Sequence, residues 1–290
     1  MEAATLRLAG FRELWIHTGT ACNLSCPFCH EGSRPGDTRL PALTLAQVAP
    51  WLDEAAAQGV GSFAFTGGEP LILREIQPIL KHALRLRPAL VLTNGMAPYI
   101  RKPHLLRELR ALPHAMRLRV SIDWPDEARH DAGRGHRSFR KALEGLRLLH
   151  EAGFAVGITR QVDPGEQKEA IEARFRNLLR RHQLPENMPL VALPDLGLPA
   201  SMEPVADATP AARDPLLASH PLPSVAPACT RSRMLLRRPE GLRFAPCPLV
   251  DDDPGMDLGN ALAPALQASV RPVHARCRIC LEQGVAYAGD

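Results

Sequence analysis

Between residues 12 and 193, short apolar segments alternate with longer stretches whose apolar residues recur every three or four positions. The strand candidates are 12–18, 60–65, 89–93, 116–123, 154–162 and 187–193, and the helix candidates are 44–59, 72–87, 102–112, 136–151 and 166–182. Leu45, Val48, Leu52, Ala55 and Ala56 give the first helix a buried face, and Leu143, Leu146, Leu149 and His150 do the same for the fourth. Thr44 stands where an N-cap belongs, and Gly59 and Gly153 where C-caps belong. Six strands alternating strictly with five helices predict parallel βα units, hence an α/β fold. Right-handed crossovers curl such a sheet into a partial or complete barrel; a doubly wound open sheet is the competing layout.

Strand 116–123 has a polar face. Arg117, Arg119, Ser121 and Asp123 share one side, and Leu118, Val120 and Ile122 the other. A parallel strand buried on both faces is apolar throughout, so the polar side is expected to line something wet or functional. Strand 12–18 brings Trp15 and His17 to one side, and strand 154–162 sets Thr159 and Gln161 against Arg160.

The texture changes after residue 193. Ten prolines fall between Pro185 and Pro227, which reads as a stiff connection. The expected division is a barrel over 1–193, a proline-rich linker over 194–227 and a small C-terminal unit over 228–290. In that unit Met234–Arg238 and Leu242–Ala245 flank a Pro239-Glu240-Gly241 turn, and 261–269 is a short helix candidate.

Bulk composition narrows the class. The chain is 45% hydrophobic and 23% charged, as ordinary soluble domains are. No apolar run approaches the roughly 18 residues of a membrane span, and Met1–Gly10 carries no secretion signal, so a cytoplasmic protein without membrane partners is expected. A net charge of +4 with only 4% aromatics argues against nucleic acid as a partner.

Cysteine arithmetic changes the picture most. Seven cysteines divide into Cys22, Cys26 and Cys29 near the start and Cys229, Cys247, Cys277 and Cys280 near the end. The first three, spaced C-x3-C-x2-C directly after the first strand, suit a loop wrapped round one 4Fe–4S cluster, leaving one iron open to a substrate or cofactor. A zinc site with His30 as fourth ligand is the competing reading. The last four suit a fully ligated 4Fe–4S cluster or a structural zinc. Such a centre would staple a unit too small to have much of a core.

The first set, with Phe28 before its last cysteine, resembles the signature of the radical S-adenosylmethionine (SAM) superfamily. Thr66-Gly67-Gly68-Glu69-Pro70 follows the second strand and resembles the family's GGE motif, which takes the amino group of SAM. Thr93-Asn94-Gly95 ends the third strand, and Ser121-Ile122-Asp123 the fourth. His130-Asp131-Ala132-Gly133-Arg134 resembles the H-D-x-x-R segment of a subgroup in which the arginine pairs with the SAM carboxylate. The chain departs from that subgroup at Trp124, where glycine is usual. The resemblance implies a partial (βα)6 barrel. Cys22, Cys26 and Cys29 would hold the cluster, and Phe28, Thr66, Gly67, Gly68, Glu69, Asn94, Ser121 and Arg134 would bind the cofactor. The tail resembles a twitch domain, the shortened form of the SPASM auxiliary-cluster domain, with Cys229, Cys247, Cys277 and Cys280 around a second 4Fe–4S cluster.

The implied activity is reductive cleavage of SAM to a 5′-deoxyadenosyl radical, which takes a hydrogen atom from a substrate. Flavodoxin or ferredoxin would donate the electron. A fully ligated second cluster suits an electron conduit, as in twitch-domain dehydrogenases, and favours oxidation or a related modification of a small polar metabolite. Peptide modification is the alternative. It is disfavoured because the chain opens almost at the first strand, leaving no room for a recognition domain. Thiol-dependent epimerisation loses ground if every cysteine binds iron, with Tyr99 or Tyr287 as substitute hydrogen donors. A non-catalytic metal-binding module is the third reading. For a catalytic base the strand-end candidates are His17, Arg119, Asp123, Arg160 and Gln161.

Overall fold

Leu14 and Ile16 point to one side of the first strand and Trp15 to the other, and this alternation divides the whole molecule into two cores. The computed structural model describes residues 5–163, 165–197, 226–251 and 253–285. The strands are β1 (Glu13–His17), β2 (Ser62–Thr66), β3 (Ala89–Thr93), β4 (Met116–Ser121), β5 (Ala155–Gln161), β6 (Leu190–Leu193), β7 (Ser232–Arg238) and β8 (Gly241–Ala245). The helices are α1 (Leu45–Ala57), α2 (Ile76–Leu86), α3 (Pro103–Arg110), α4 (Glu127–Arg134), α5 (Ser138–Glu151), α6 (Lys168–Arg181), α7 (Leu262–Gln267) and α8 (Ala275–Gln283).

One sheet carries all eight strands in the order β6-β5-β4-β3-β2-β1-β7-β8. Neighbours from β6 to β7 are parallel, and β8 returns antiparallel to β7. The first six strands follow one another in sequence order. A doubly wound sheet reverses direction at a switch point, and none falls among these six strands. The fold is therefore the open, partial α/β barrel.

The outer core sits between sheet and helices. Ile16, Phe65, Val91, Leu118 and Ile158 meet Val48, Leu80, Leu146 and Phe175. Helix α2 buries Ile76, Ile79, Leu80, Ala83 and Leu84, the i, i+3, i+4, i+7, i+8 stripe of an amphipathic helix. Each of the four larger side chains contributes about 2 kcal/mol of burial. Helix α1 starts at a capping box in which the Thr44 side chain accepts from Gln47 N and the Gln47 side chain accepts from Thr44 N. Gly59 and Gly153 end α1 and α5 at φ +80° and +83°, where a side chain is strained.

Helix α4 has no counterpart among the predicted helices. It contains the His130–Arg134 segment, buries only His130, and so shows no apolar period. Asp126 caps it by accepting from Arg129 N.

The tail is joined to the barrel more closely than a separate small unit would be. Residues Ser232–Leu235 of β7 pair in parallel register with Glu13–Ile16 of β1, covering what would be an open sheet edge. Met234 and Leu236 pack beside Trp15, Ala64 and Leu90 in the inner core, together with Cys229, Cys247 and Cys280. Most of the expected linker, and Tyr287, lie outside the described residues.

At Gly145 of α5 an added Cβ would overlap the Gly95 carbonyl oxygen in the turn after β3. Gly145→Ala is therefore expected to lower stability by about 2 kcal/mol, read as a fall in the urea midpoint at unchanged m-value.

Candidate active site

The C-terminal ends of β1–β6 open into one pocket of about 960 Å³. Each strand end contributes: Cys22, Cys26 and Cys29 after β1, Thr66–Gly68 at β2, Leu92–Asn94 at β3, Ser121 and Asp123 at β4, Thr159–Gln161 at β5, and Leu193, Pro194 and Leu196 at β6. Arg134 reaches in from α4 and Phe28 from the cysteine loop. This is the end of an α/β sheet where active sites form.

The two glycines of the Thr66–Pro70 segment have a packing role of their own. Gly67 takes φ +122°, and a Cβ there would lie 2.6 Å from Gly19 O; at Gly68 it would overlap Ala21 O. The bare backbones meet through Gly68 N to Gly19 O (2.9 Å) and Glu69 N to Ala21 O (3.1 Å), which fixes the chain leading into Cys22.

Glu69 sits differently from the expected cofactor contact. It is 2% exposed and is not part of the pocket wall. Its carboxylate accepts from Leu71 N (3.0 Å), Thr93 Oγ1 (2.7 Å) and Asn94 N (2.6 Å), tying the end of β2 to the end of β3. Burial pushes its carboxyl above the usual range, against the pull of these donors. Asn94, so held, donates to Asn23 Oδ1 at 2.7 Å, inside the cysteine loop.

Arg134 forms a bidentate pair with Asp123, the second contact being Nη2 to Oδ1 at 3.3 Å. Asp123 also accepts from Gln161 N at 3.2 Å, so one carboxylate links β4, β5 and α4. Phe28 stands edge-on to Trp124 at 5.5 Å, with the Arg134 guanidinium 5.7 Å from its ring. Trp124, at the position where the subgroup usually has glycine, is anchored by Nε1 to Asp163 Oδ2 at 3.0 Å.

Two of the candidate bases are placed elsewhere. His17 is fully buried outside the pocket wall, its Nε2 lying 2.9 Å from Glu31 and 3.3 Å from Asp251. Arg119 also lies outside the wall, inside the barrel, where burial and then Arg117 lower its pKa to about 10. Period-two reasoning gave each the correct face but not its depth along the strand. Asp123, Gln161 and Arg160 do reach the pocket; Arg160 pairs with Glu166 at 2.9 Å. Glu31, beside His17, escaped the sequence reading. Its position two residues past Cys29 was the one available signal.

All seven cysteines are free thiols. Burial pushes Cys22 and Cys277 up to about 12 and Cys229 to about 11, so each needs a positive partner to ionise. Cys229, Cys247, Cys277 and Cys280 line one cavity of about 330 Å³ walled by Leu249, Val250, Met256 and Val270. A zinc ion holds its sulfurs about 3.8 Å apart. Among the described residues, three or more ligand atoms come within 4.8 Å of one another only at His17, Glu31 and Asp251. Neither cysteine set closes that far.

Residues 16–178 match the Radical SAM superfamily. The chain belongs to this superfamily. It is 31% identical over 150 residues to an AdoMet-dependent heme synthase of Methanosarcina barkeri, covering 51% of this chain and 42% of that one. It is 30% identical over 176 residues to a probable GTP 3′,8-cyclase of Aeropyrum pernix, covering 58% and 47%. It thus spans less than half the length of these curated relatives. The crystal structure of Streptococcus suis SuiB bound to S-adenosylmethionine superposes with a TM-score of 0.54 at 18% identity, over 65% of this chain and 42% of that chain, a likeness of fold.

His130 of α4 is 0% exposed, lies edge-on to Phe139 at 5.6 Å, and has no hydrogen-bond partner on either ring nitrogen. Burial, and then the Arg134 charge, lower its pKa to about 4. The unfolded chain takes up a proton near pH 6.5 that the folded chain refuses, so stability falls as pH drops from about 6.5 towards 4. His130→Leu is expected to shrink the difference in melting temperature between pH 7.5 and pH 5.

Proposed function

We propose that this radical SAM enzyme takes a hydrogen atom from a small polar metabolite in the 960 Å³ pocket and carries out an oxidation or related modification, with a second iron–sulfur cluster in the tail. The observation that carries the reading is the convergence of Cys22, Cys26 and Cys29 with Gly67, Gly68, Asn94, Ser121 and Arg134 on one pocket formed by six strand ends. Cys22, Cys26 and Cys29 would hold a cluster that, when bound, would supply the electron for reductive cleavage of SAM.

The chain's own residues do the rest. Gly67 and Gly68 set the loop that would receive the SAM amino group. Arg134, oriented by Asp123, keeps donors free for the SAM carboxylate. Phe28 and Trp124 shield the pocket mouth from water, which protects a radical from stray hydrogen donors. Ser121, Thr159 and Gln161 give the remaining wall a polar character. The relatives' names refer to heme in one case and GTP in the other, so the shared segment supports a common chemistry and leaves the substrate to this chain's own pocket. The tail cavity gathers four thiols for one body, which supports full ligation and a conduit role.

Anaerobic reconstitution tests this. About eight irons per chain are expected, with 5′-deoxyadenosine formed on adding dithionite and SAM. Alanine at Cys22, Cys26 and Cys29 together is expected to abolish SAM cleavage. Zinc in place of iron, with no deoxyadenosine, would sink the reading. Deuterium carried from a labelled polar metabolite into 5′-deoxyadenosine identifies the substrate.

A further inference from the structure

The residues next to Cys29 meet the residues next to the tail cysteines at one buried junction. Arg276, immediately before Cys277, is 2% exposed and uses every guanidinium nitrogen. Its Nη2 donates to His30 O (2.6 Å) and Gly197 O (3.2 Å), Nη1 to Leu249 O (3.2 Å) and Nε to Leu196 O (3.0 Å). His30 follows Cys29, and Leu249 lies two past Cys247. One planar fork therefore holds the first cysteine loop, the Cys247 loop and the segment after β6 to the helix that bears Cys277 and Cys280.

A second link runs in parallel. Asp251, four past Cys247, reaches His17 Nε2, which holds Glu31, two past Cys29. The trio is spaced as a cation site would be, yet His17 Nδ1 accepts Gly19 N–H at 3.2 Å. The ring proton is then on Nε2, where it donates to Glu31 at 2.9 Å with the Asp251 carboxylate 3.3 Å away, so the imidazole links the two segments.

Arginine suits this junction because its donors are fixed in one plane, so three carbonyl-bearing segments cannot shift independently while all bonds stand. A metal centre orders the chain that ligates it. Ordering α8 and the Cys247 loop is passed by Arg276 to the carbonyl beside Cys29. We propose that Arg276 is a positioning residue that couples the two cysteine centres, a loaded tail site holding the Cys22–Cys29 loop in the form that takes SAM. This rests on the two-cluster reading above. Coupling is reciprocal, so SAM bound at the first site tightens retention of iron at the second.

The test compares four full-length reconstituted chains: wild type, Cys277→Ala with Cys280→Ala, Arg276→Met, and the combination. Iron per chain, SAM affinity by equilibrium dialysis and the SAM-induced change in the electron paramagnetic resonance spectrum of the reduced first cluster are read for each. Emptying the tail is expected to weaken SAM binding about tenfold. Arg276→Met is expected to weaken it by a similar factor while still carrying about eight irons, and the combination to be no weaker than either. Eight irons with wild-type SAM affinity in Arg276→Met overturns the coupling alone, as do effects that multiply. A wild-type chain that takes only about four irons overturns the two-cluster reading first, before any SAM is added. Should Arg276→Met fail to fold or load, Arg276→Lys decides: it keeps the charge and loses the fork, so weakened SAM binding at full iron supports the proposal and wild-type affinity overturns it.

Discussion

The buried carboxylate of Glu69 is the constraint on which the pocket depends. It accepts from Leu71 N, Thr93 Oγ1 and Asn94 N, while its own backbone N–H is bonded to Ala21 O. One residue thus fixes the ends of β1, β2 and β3 with respect to each other. The cost of burying its charge is offset only while all three donors are in place, since a half-satisfied buried carboxylate is expensive. Gly67 and Gly68 make the arrangement possible by letting two backbones touch. The motif therefore builds the floor of the pocket.

The thiols of both sets are held protonated by desolvation, Cys22 up to about 12 among them. A set of buried neutral thiols contributes little to stability beyond ordinary apolar contact. Their convergence becomes useful when a cationic body releases their protons and draws them in, so that binding and local ordering are one process.

Most of the barrel was legible in the sequence because helices and strands here bury continuous faces. The α2 stripe and the Leu118, Val120 alternation are signals that periodicity reads directly. The three-cysteine spacing and the glycine pair were legible for a related reason: their chemistry is local in the chain. What escaped was non-local or polar. Helix α4 buries one histidine and has no apolar stripe to detect. The pairing of β7 with β1 joins residues more than two hundred positions apart, and nothing near Met234 marks its partner. His17 and Arg119 showed their faces but not their depth, because alternation reports direction across a sheet and not distance from its end.

The tail's place in the sheet bears on what it can do. A small unit tied on by a linker would move relative to the pocket, and a centre within it would sit at a variable distance from the first. Here β7 extends the sheet beside β1, and Trp15 of β1 shares the inner core with Cys229, Cys247 and Met234. Strand β1 runs directly into the first cysteine loop. The first cysteine set follows β1, while Cys229 and Cys247 flank the β7–β8 hairpin beside it, so these segments are held by close-packed side chains and ladder hydrogen bonds.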